Sequence, residues 1–162
     1  MPEFVRTLTS LYIHSKYRCV PVMKSIVMKR AEIVLSGSYS GYGALNEFVA
    51  LFAESEGYSN LCVERLQLAM KEAFVNAVKH GNRERSDLSV TCVFTVVEEM
   101  LLISVRDSGK GFNLDELPDP RDPQNLFRLS GRGIYIIRSI AEIIALERDQ
   151  NGSLLRLRYR PH

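Results

Sequence analysis

Hydrophobic and polar residues recur with helical or strand periodicity over most of the chain beyond residue 30. The apolar run AEIVL at residues 31–35 predicts a strand, and SGSYSG after it predicts a loop. Apolar positions then recur at helical spacing over residues 44–56 and over about residues 59–79, and a glycine closely follows each stripe. Ser59 or Asn60 can cap the start of the second of these helices.

The second half of the chain predicts further strands and a third helix. Residues 88–97 and 101–106 alternate like the two strands of an antiparallel hairpin. The stretch 114–130 contains three prolines and predicts a loop, because proline disrupts helices and central strands. An apolar helix is predicted over residues 134–144 and a final strand within NGSLLRLRYR at residues 151–160. Elements in this order predict an α+β fold, a two-layer sandwich with a mixed, mostly antiparallel sheet and helices on one face.

Residues 1–29 form a mildly basic leader whose periodicity favours neither helix nor strand. We expect the leader to pack against its own domain or against a neighbouring copy of the chain. Met23 and Met28 could also serve as internal starts, which would make the leader dispensable. The predicted organisation is therefore a leader of uncertain role at residues 1–29 and a single domain at residues 30–162.

Composition narrows the class of protein. Hydrophobic residues make up 46% and charged residues 25% of the 162 residues, which is typical of a folded domain and argues against disorder. The formal charge of +2 gives no reason to expect direct nucleic-acid binding. Three scattered cysteines without a C-x-x-C pair favour a reducing compartment over a disulfide or zinc framework. With no apolar run of signal-peptide or membrane-spanning length, we expect a cytoplasmic protein without membrane contact.

A carboxylate and an amide mark the second predicted helix. Glu72 and Asn76 are four residues apart and therefore lie on one narrow face, together with Lys79. They could form an exposed polar strip that pairs with Arg65 and Lys79. They could also point into a cleft, where the Asn76 carbonyl would be a magnesium ligand and Glu72 a base that orients a hydroxyl or water. Spacing alone does not choose between the two.

The second candidate motif, DSGKGF, follows a predicted strand directly. The glycines Gly109 and Gly111 allow a sharp turn and a close approach to a flat ligand. Asp107 could accept a hydrogen bond from the exocyclic amine of a purine. The alternative is an ordinary D-x-G hairpin turn, because Asp and Gly are common turn residues.

The third candidate motif, SGRG at residues 130–133, opens the last predicted helix. Free backbone N–H groups at a helix start, with glycines beside them, form a natural phosphate site. A glycine-containing helix cap explains the same residues. Arg132 could bind phosphate or only add solubility.

The three motifs together carry more information than each alone. E-x-x-x-N-x-x-x-H-G-N at residues 72–82, D-x-G-x-G-F at 107–112 and S-G-R-G-I at 130–134 resemble, in this order, the N, G1 and G2 boxes of the GHKL ATP-binding superfamily. That superfamily includes gyrase, histidine kinases and mismatch-repair ATPases. Because the match covers all of the chain except the leader, the chain is similar to its small single-domain branch, the anti-sigma factor serine kinases.

The resemblance implies a Bergerat ATP-binding fold, with ATP and Mg²⁺ as ligands. By position, Glu72 would be the catalytic base for a serine hydroxyl, Asn76 would hold Mg²⁺, and Asp107 would bind the adenine amino group. Residues 114–130 would form the lid over the nucleotide. The remaining nucleotide-binding residues that the match implies are Lys79, Gly109, Gly111, Phe112, Ser130, Gly131, Arg132, Gly133 and Ile134.

The resemblance further implies an anti-sigma factor that regulates transcription by partner switching. It would bind a sigma factor, phosphorylate an anti-sigma factor antagonist on serine, and form a homodimer. One departure keeps an alternative open: some members have an arginine directly before the third box, whereas Leu129 stands there and Arg128 is one residue earlier. The alternative is a nucleotide-dependent binding module without efficient phosphotransfer. A histidine kinase catalytic domain ranks below both, and His80 is expected to be a helix-end residue and not a catalyst.

Overall fold

A computed structural model describes residues 5–15, 18–109 and 132–161, with side chains from residue 29 onward. The backbone alternates strand pairs with helices. In chain order the elements are β1 (Val5–Ser15), β2 (Arg18–Ser36), a short 3-10 helix (Tyr39–Gly41), α1 (Tyr42–Ser55), α2 (Asn60–Asn76), a π-helical segment (Ala77–Asn82), β3 (Ser89–Val97), β4 (Met100–Asp107), α3 (Gly133–Ile140), β5 (Glu142–Asp149) and β6 (Gly152–Tyr159).

The strands of the described residues form one six-stranded sheet in the order β1-β2-β3-β4-β6-β5. Every pair of neighbouring strands among the described residues is antiparallel. The α+β fold class with helices packed on one face of the sheet is confirmed. The sheet was predicted to be mixed, but no parallel pair of strands is found in the described part. β5 and β6 are neighbours joined by a tight turn between Asp149 and Gly152, and they therefore run antiparallel.

The core lies between α2 and one face of the sheet. Leu66, Met70 and Phe74 on α2 are fully buried, in one cluster with the inward side chains of β3, β4 and β6. Phe94 on β3 also packs against the rings of Phe48 and Phe52 on α1, and its ring centroid lies 5.4 and 5.2 Å from theirs. Because α2 is anchored along its length, the backbone positions from which its polar side chains project are fixed.

The first two predicted helices and the hairpin are confirmed, with shifted ends. Ser59 caps α2, and its Oγ accepts a hydrogen bond of 3.3 Å from the Cys62 backbone N–H. The hairpin of β3 and β4 turns through two residues, the first of which, Glu98, has φ of 55°. The long α2 pattern is easy to recognise because its apolar stripe coincides with the buried face.

The predicted helix over residues 134–144 is wrong in its second half. The chain leaves the helix after Ile140 and forms β5, which the sequence analysis missed. β5 is an edge strand with a bulge between Ile143 and Ala145, where the register to β6 shifts. The bulge breaks the alternation that identifies a strand, and its extra residue, Ile144, is 48% exposed.

The described part of the leader forms two strands. β2 runs without a break across residue 29: its residues 18–28 pair with β1, and its residues 29–36 pair with β3. The division of the chain at residue 29 and the packing partner of the leader stay predictions. The predicted lid at residues 114–130 lies outside the described residues. None of the helices in the described ranges combines the length and the apolar character that crossing a membrane requires.

A buried tyrosine closes the core at the end of β6. The Tyr159 hydroxyl donates a hydrogen bond of 3.1 Å to the backbone oxygen of Cys62, and burial together with this bond raises the pKa of Tyr159. Tyr159→Phe is expected to lower the free energy of unfolding by about 0.5–1.5 kcal/mol, the usual net value of one such hydrogen bond. Urea unfolding of both proteins measures the difference, and an unchanged midpoint would contradict this contribution.

Candidate functional site

The start of α3 meets the polar face of α2. Glu72 and Asn76 are both half-buried, and Gly133 lies against them. A Cβ atom at Gly133 would lie 2.9 Å from Glu72 Oε2 and 3.3 Å from Asn76 Nδ2. Glycine therefore lets the backbone of α3 approach both polar groups, and the fold brings two of the predicted motifs together.

The Asn76 amide has hydrogen-bonding capacity to spare. Its Nδ2 atom is buried and has no hydrogen-bond partner among the described residues. In the same part of the chain, no ion pair joins Glu72 to Arg65 or Lys79. A buried amide without a partner is costly, and such groups are common where a ligand completes the site. The unpartnered amide and the lack of these ion pairs favour the interpretation that Glu72 and Asn76 face a cleft over the interpretation as an exposed strip.

Asp107 ends β4 in a buried position. Its side chain is 8% exposed, and both carboxylate oxygens accept hydrogen bonds within the protein. Oδ1 accepts from the Gly109 backbone N–H at 2.8 Å, and Oδ2 accepts from the Ser153 hydroxyl at 2.7 Å. Each carboxylate oxygen has a second lone pair, so Asp107 can still accept a hydrogen bond from a ligand.

Three glycines surround Asp107 so closely that no side chain fits. A Cβ atom at Gly81 would overlap the Asp107 carboxylate, and one at Gly109 would overlap the Gly81 backbone. Gly152 has φ of +129°, and a Cβ there would overlap the Asp107 backbone oxygen. The backbone around the carboxylate is therefore packed tightly by the end of α2, the loop after β4 and the start of β6.

A widened helical turn connects the two halves of the site. α2 continues beyond Asn76 as the π-helical segment Ala77–Asn82, which ends at Arg83 with φ of 55°. The prediction that the helix ends near Lys79 is thus corrected. Wide turns of this kind are frequent at functional sites. Here the turn places Gly81 against Asp107, so that one continuous element carries Glu72 and Asn76 and contacts Asp107.

Among the described residues, two further side chains at this site were not predicted from the sequence. Ser153, which is 2% exposed, orients the Asp107 carboxylate through its hydroxyl. Asn82, which is 1% exposed, accepts a hydrogen bond from the Ser108 N–H and donates one to the Ser89 backbone oxygen, both at 2.9 Å. Asn82 closes the first motif in the sequence, but nothing in the spacing identifies its partners. Ser153 carries no local signal, since serine is common beside a turn glycine.

The remaining predicted residues divide into described and undescribed ones. Lys79, His80 and Arg132 are exposed, and Ile134 is buried in the core. Desolvation of the His80 imidazole and the neighbouring charge of Lys79 lower the pKa of His80. Four predicted site residues lie outside the described residues, namely Gly111, Phe112, Ser130 and Gly131.

The described groups form two chemically distinct clusters at the two ends of the helical stretch 72–81. A buried carboxylate that can accept a hydrogen bond lies at one end, beside tightly packed backbone. At the other end, a carboxylate and an amide lie beside the first turn of α3. An amide oxygen and a carboxylate suit a hard cation or a hydroxyl proton. Such an arrangement suits a ligand with a hydrogen-bond-donating ring and an anionic group that binds a cation.

Comparison with known proteins adds family and fold evidence. The profile of the histidine kinase-like ATPase domain matches residues 40–159. The serine-protein kinase RsbW of Listeria monocytogenes is 26% identical over 113 residues, covering 66% of this chain and 72% of that protein. RsbW of Bacillus mycoides is 27% identical over the same share of this chain and 70% of its own length. The crystal structure of the RsbU and RsbW domains of Rv1364c from Mycobacterium tuberculosis shares the fold, with a TM-score of 0.57, 15% identity, and coverage of 81% of this chain and 32% of that chain.

Proposed function

The chain belongs to the family of histidine kinase-like ATPase domains. From this membership and its likeness to serine-protein kinases we propose that it is an ATP-dependent protein serine kinase and anti-sigma factor. It would bind a sigma factor and phosphorylate a small antagonist protein on serine, so that the antagonist no longer displaces the sigma factor. The observation that carries the proposal is the convergence of Glu72, Asn76 and Gly133 at one end of a site that has Asp107 at the other.

The Asp107 end would bind adenine. A free lone pair on the Asp107 carboxylate would accept a hydrogen bond from the adenine amino group. The carboxylate is held in place by Gly109 and Ser153 before any ligand binds, which reduces the cost of ordering it. Guanine has a carbonyl oxygen at the corresponding position, and two acceptors would then face each other. We therefore expect a preference for ATP over GTP.

The Glu72 end would bind the phosphates and the attacking hydroxyl. The side-chain oxygen of Asn76 is a suitable ligand for a hard cation such as Mg²⁺. Its Nδ2 atom, buried without a hydrogen-bond partner among the described residues, would donate to a phosphate oxygen. Bound Mg²⁺ would neutralise charge on the phosphates. Glu72 would take the proton of the serine hydroxyl while the serine oxygen bonds to the γ-phosphorus and the bond to the bridging oxygen of ADP breaks. Gly133, which has no side chain, lets the start of α3 lie directly against Glu72 and Asn76.

Other parts of the proposal rest on the family motifs. Lys79 and Arg132 are exposed near the phosphate end and would contribute positive charge, and Ile134 would anchor the start of α3. The third box and the lid at residues 114–130 would complete the phosphate site. A homodimer and a cytoplasmic location belong to the same proposal.

Phosphorylation of a serine-bearing antagonist tests the proposed function. The purified chain is incubated with Mg-ATP and the antagonist-like protein encoded in the same genome, and the products are analysed by mass spectrometry. We expect one phosphoserine on the partner and none when ATP is omitted. Partner binding that depends on ATP, with no phosphoserine for the wild-type chain, would overturn the kinase and favour the nucleotide-dependent binding module that the residue Leu129 suggests.

A further inference from the structure

Asn82 connects four segments of the chain at the adenine end of the site. Its side-chain oxygen accepts the Ser108 N–H in the loop after β4, and its side-chain nitrogen donates to the Ser89 oxygen at the start of β3. Gly37, between β2 and α1, packs on the same amide: a Cβ there would lie 2.6 Å from Asn82 Nδ2. Asn82 itself ends the π-helical segment that continues α2.

The amide of Asn82 suits these contacts in a way that few side chains would. At 1% exposure it must satisfy both a donor and an acceptor of the protein, and a carboxamide offers one of each. The bond to Ser108 fixes a backbone position directly between Asp107 and Gly109. Gly81, next to Asn82 in sequence, contacts both of those residues. The loop after β4 is thereby held on the end of α2 by one side chain and one glycine contact.

We infer that Asn82 is a positioning residue that sets the adenine-binding loop at Asp107–Gly109 relative to the helix that carries Glu72 and Asn76. The inference rests on the proposed function, since it assumes that Asp107 binds the base. Asn82 touches no reacting group; it acts through the Ser108 backbone and so through the orientation of Asp107. A nucleotide bound at both ends of the site needs this spacing, because its base and its phosphates are joined in one molecule.

Loss of the Asn82 amide is expected to weaken base recognition. In Asn82→Ala the Ser108 N–H loses its acceptor, and the loop is no longer ordered before the nucleotide binds. We expect the Kd of Mg-ATP to rise about tenfold and the preference for ATP over GTP to fall by a similar factor. Asn82→Asp keeps an oxygen for the Ser108 N–H but places a carboxylate oxygen against the Ser89 backbone oxygen. It should therefore retain most of that preference while lowering the unfolding midpoint.

The matched control is Tyr159→Phe, which also removes a buried side-chain hydrogen bond but lies at the Cys62 end of α2. Isothermal titration calorimetry with Mg-ATP and Mg-GTP is carried out on the wild-type chain and the three variants, with unfolding midpoints measured in parallel. Selective loss of base preference in Asn82→Ala, with Tyr159→Phe unchanged, supports the inference. An equal loss of base preference in Asn82→Ala and Tyr159→Phe would show that Asn82 only stabilises the fold, and would overturn the inference. Wild-type affinity and preference in Asn82→Ala would overturn it as well.

Hydrogen exchange of the wild-type chain provides a test that needs no variant to fold. The Ser108 amide is in an exposed residue, yet it is bonded to a buried acceptor. We expect it to exchange as slowly as amides within β4 in the absence of nucleotide. Exchange at the rate of a free loop amide would contradict the positioning role. If the wild-type chain binds neither nucleotide while the Ser108 amide is protected, the proposed function fails and the inference fails with it. If the chain binds nucleotide but the Ser108 amide is unprotected, only the inference is refuted.

Discussion

Replacing Glu72 with glutamine is expected to lower the rate of serine phosphorylation by about 10²- to 10⁴-fold, the usual contribution of a positioned general base. Glutamine has nearly the same shape, so it should fit beside Gly133 as the carboxylate does. Its amide does not take up the proton of the serine hydroxyl. Nucleotide binding should change far less, because Asp107 and Asn76 are unaltered. The measurement is the initial rate of phosphoserine formation at saturating Mg-ATP, with the nucleotide Kd determined in parallel.

Glu64→Gln is the matched control for this experiment. Glu64 is exposed and lies two turns earlier on the same helix, so its replacement makes the same change of charge on α2 away from the site. We expect the control to phosphorylate its partner at the wild-type rate. A Glu72→Gln chain that retained the wild-type rate would show that another group takes the serine proton. Loss of partner phosphorylation together with loss of nucleotide binding would instead point to a role in binding.

Replacing Asp107 with asparagine is expected to abolish stabilisation by nucleotide. Ligand at about 100 times its Kd stabilises the folded wild-type chain by roughly 2.7 kcal/mol, which corresponds to a rise in Tm of roughly 5–10 °C for a domain of this size. Asparagine can keep both internal contacts, with its oxygen toward the Gly109 N–H and its nitrogen toward the Ser153 hydroxyl. It then presents an N–H group to the adenine amino group, and two donors repel. The measurement is thermal unfolding with and without Mg-ADP or Mg-ATP.

Asp87→Asn controls for the loss of a carboxylate elsewhere on the surface. Asp87 is exposed and pairs with Arg85 at 2.6 Å, and the pair lies outside the site. Its variant should show the full wild-type shift in Tm on adding nucleotide. A full shift in Asp107→Asn would remove Asp107 from base recognition. The absence of a shift in the wild-type chain at millimolar nucleotide would remove ATP from the proposal altogether.

The sequence predicted those elements whose burial follows a regular period. The stripe on α2 and the alternation of β3 and β4 are local patterns, since a helix or strand that packs on one side must repeat its apolar residues. β5 escaped prediction because its bulge at Ile144 interrupts the alternation, and its isoleucines equally suit a helix. The π-helical segment has no period of its own that a short sequence could reveal.

Only part of the candidate site could be predicted from local patterns in the sequence. Glu72 and Asn76 share a helix face by spacing, and Asp107 follows a strand, so their residue types suggested chemistry before any contact was known. The partners that hold them come from elsewhere in the chain. Ser153 and Asn82 were missed because a hydrogen bond between distant residues leaves no trace in local order.

Local patterns in the sequence were therefore enough to predict the elements with regular periodicity, the class of fold and the chemical groups available for a nucleotide and a cation. Which of these groups lie together became visible in the folded chain: Gly133 lies against Glu72 and Asn76, and Gly81 lies against Asp107. The two kinds of information differ in the distance along the chain over which they act. Periodicity and turn preferences act over a few residues, whereas close approach of two backbones depends on how the helices pack on the sheet and on glycines that leave no side chain between them.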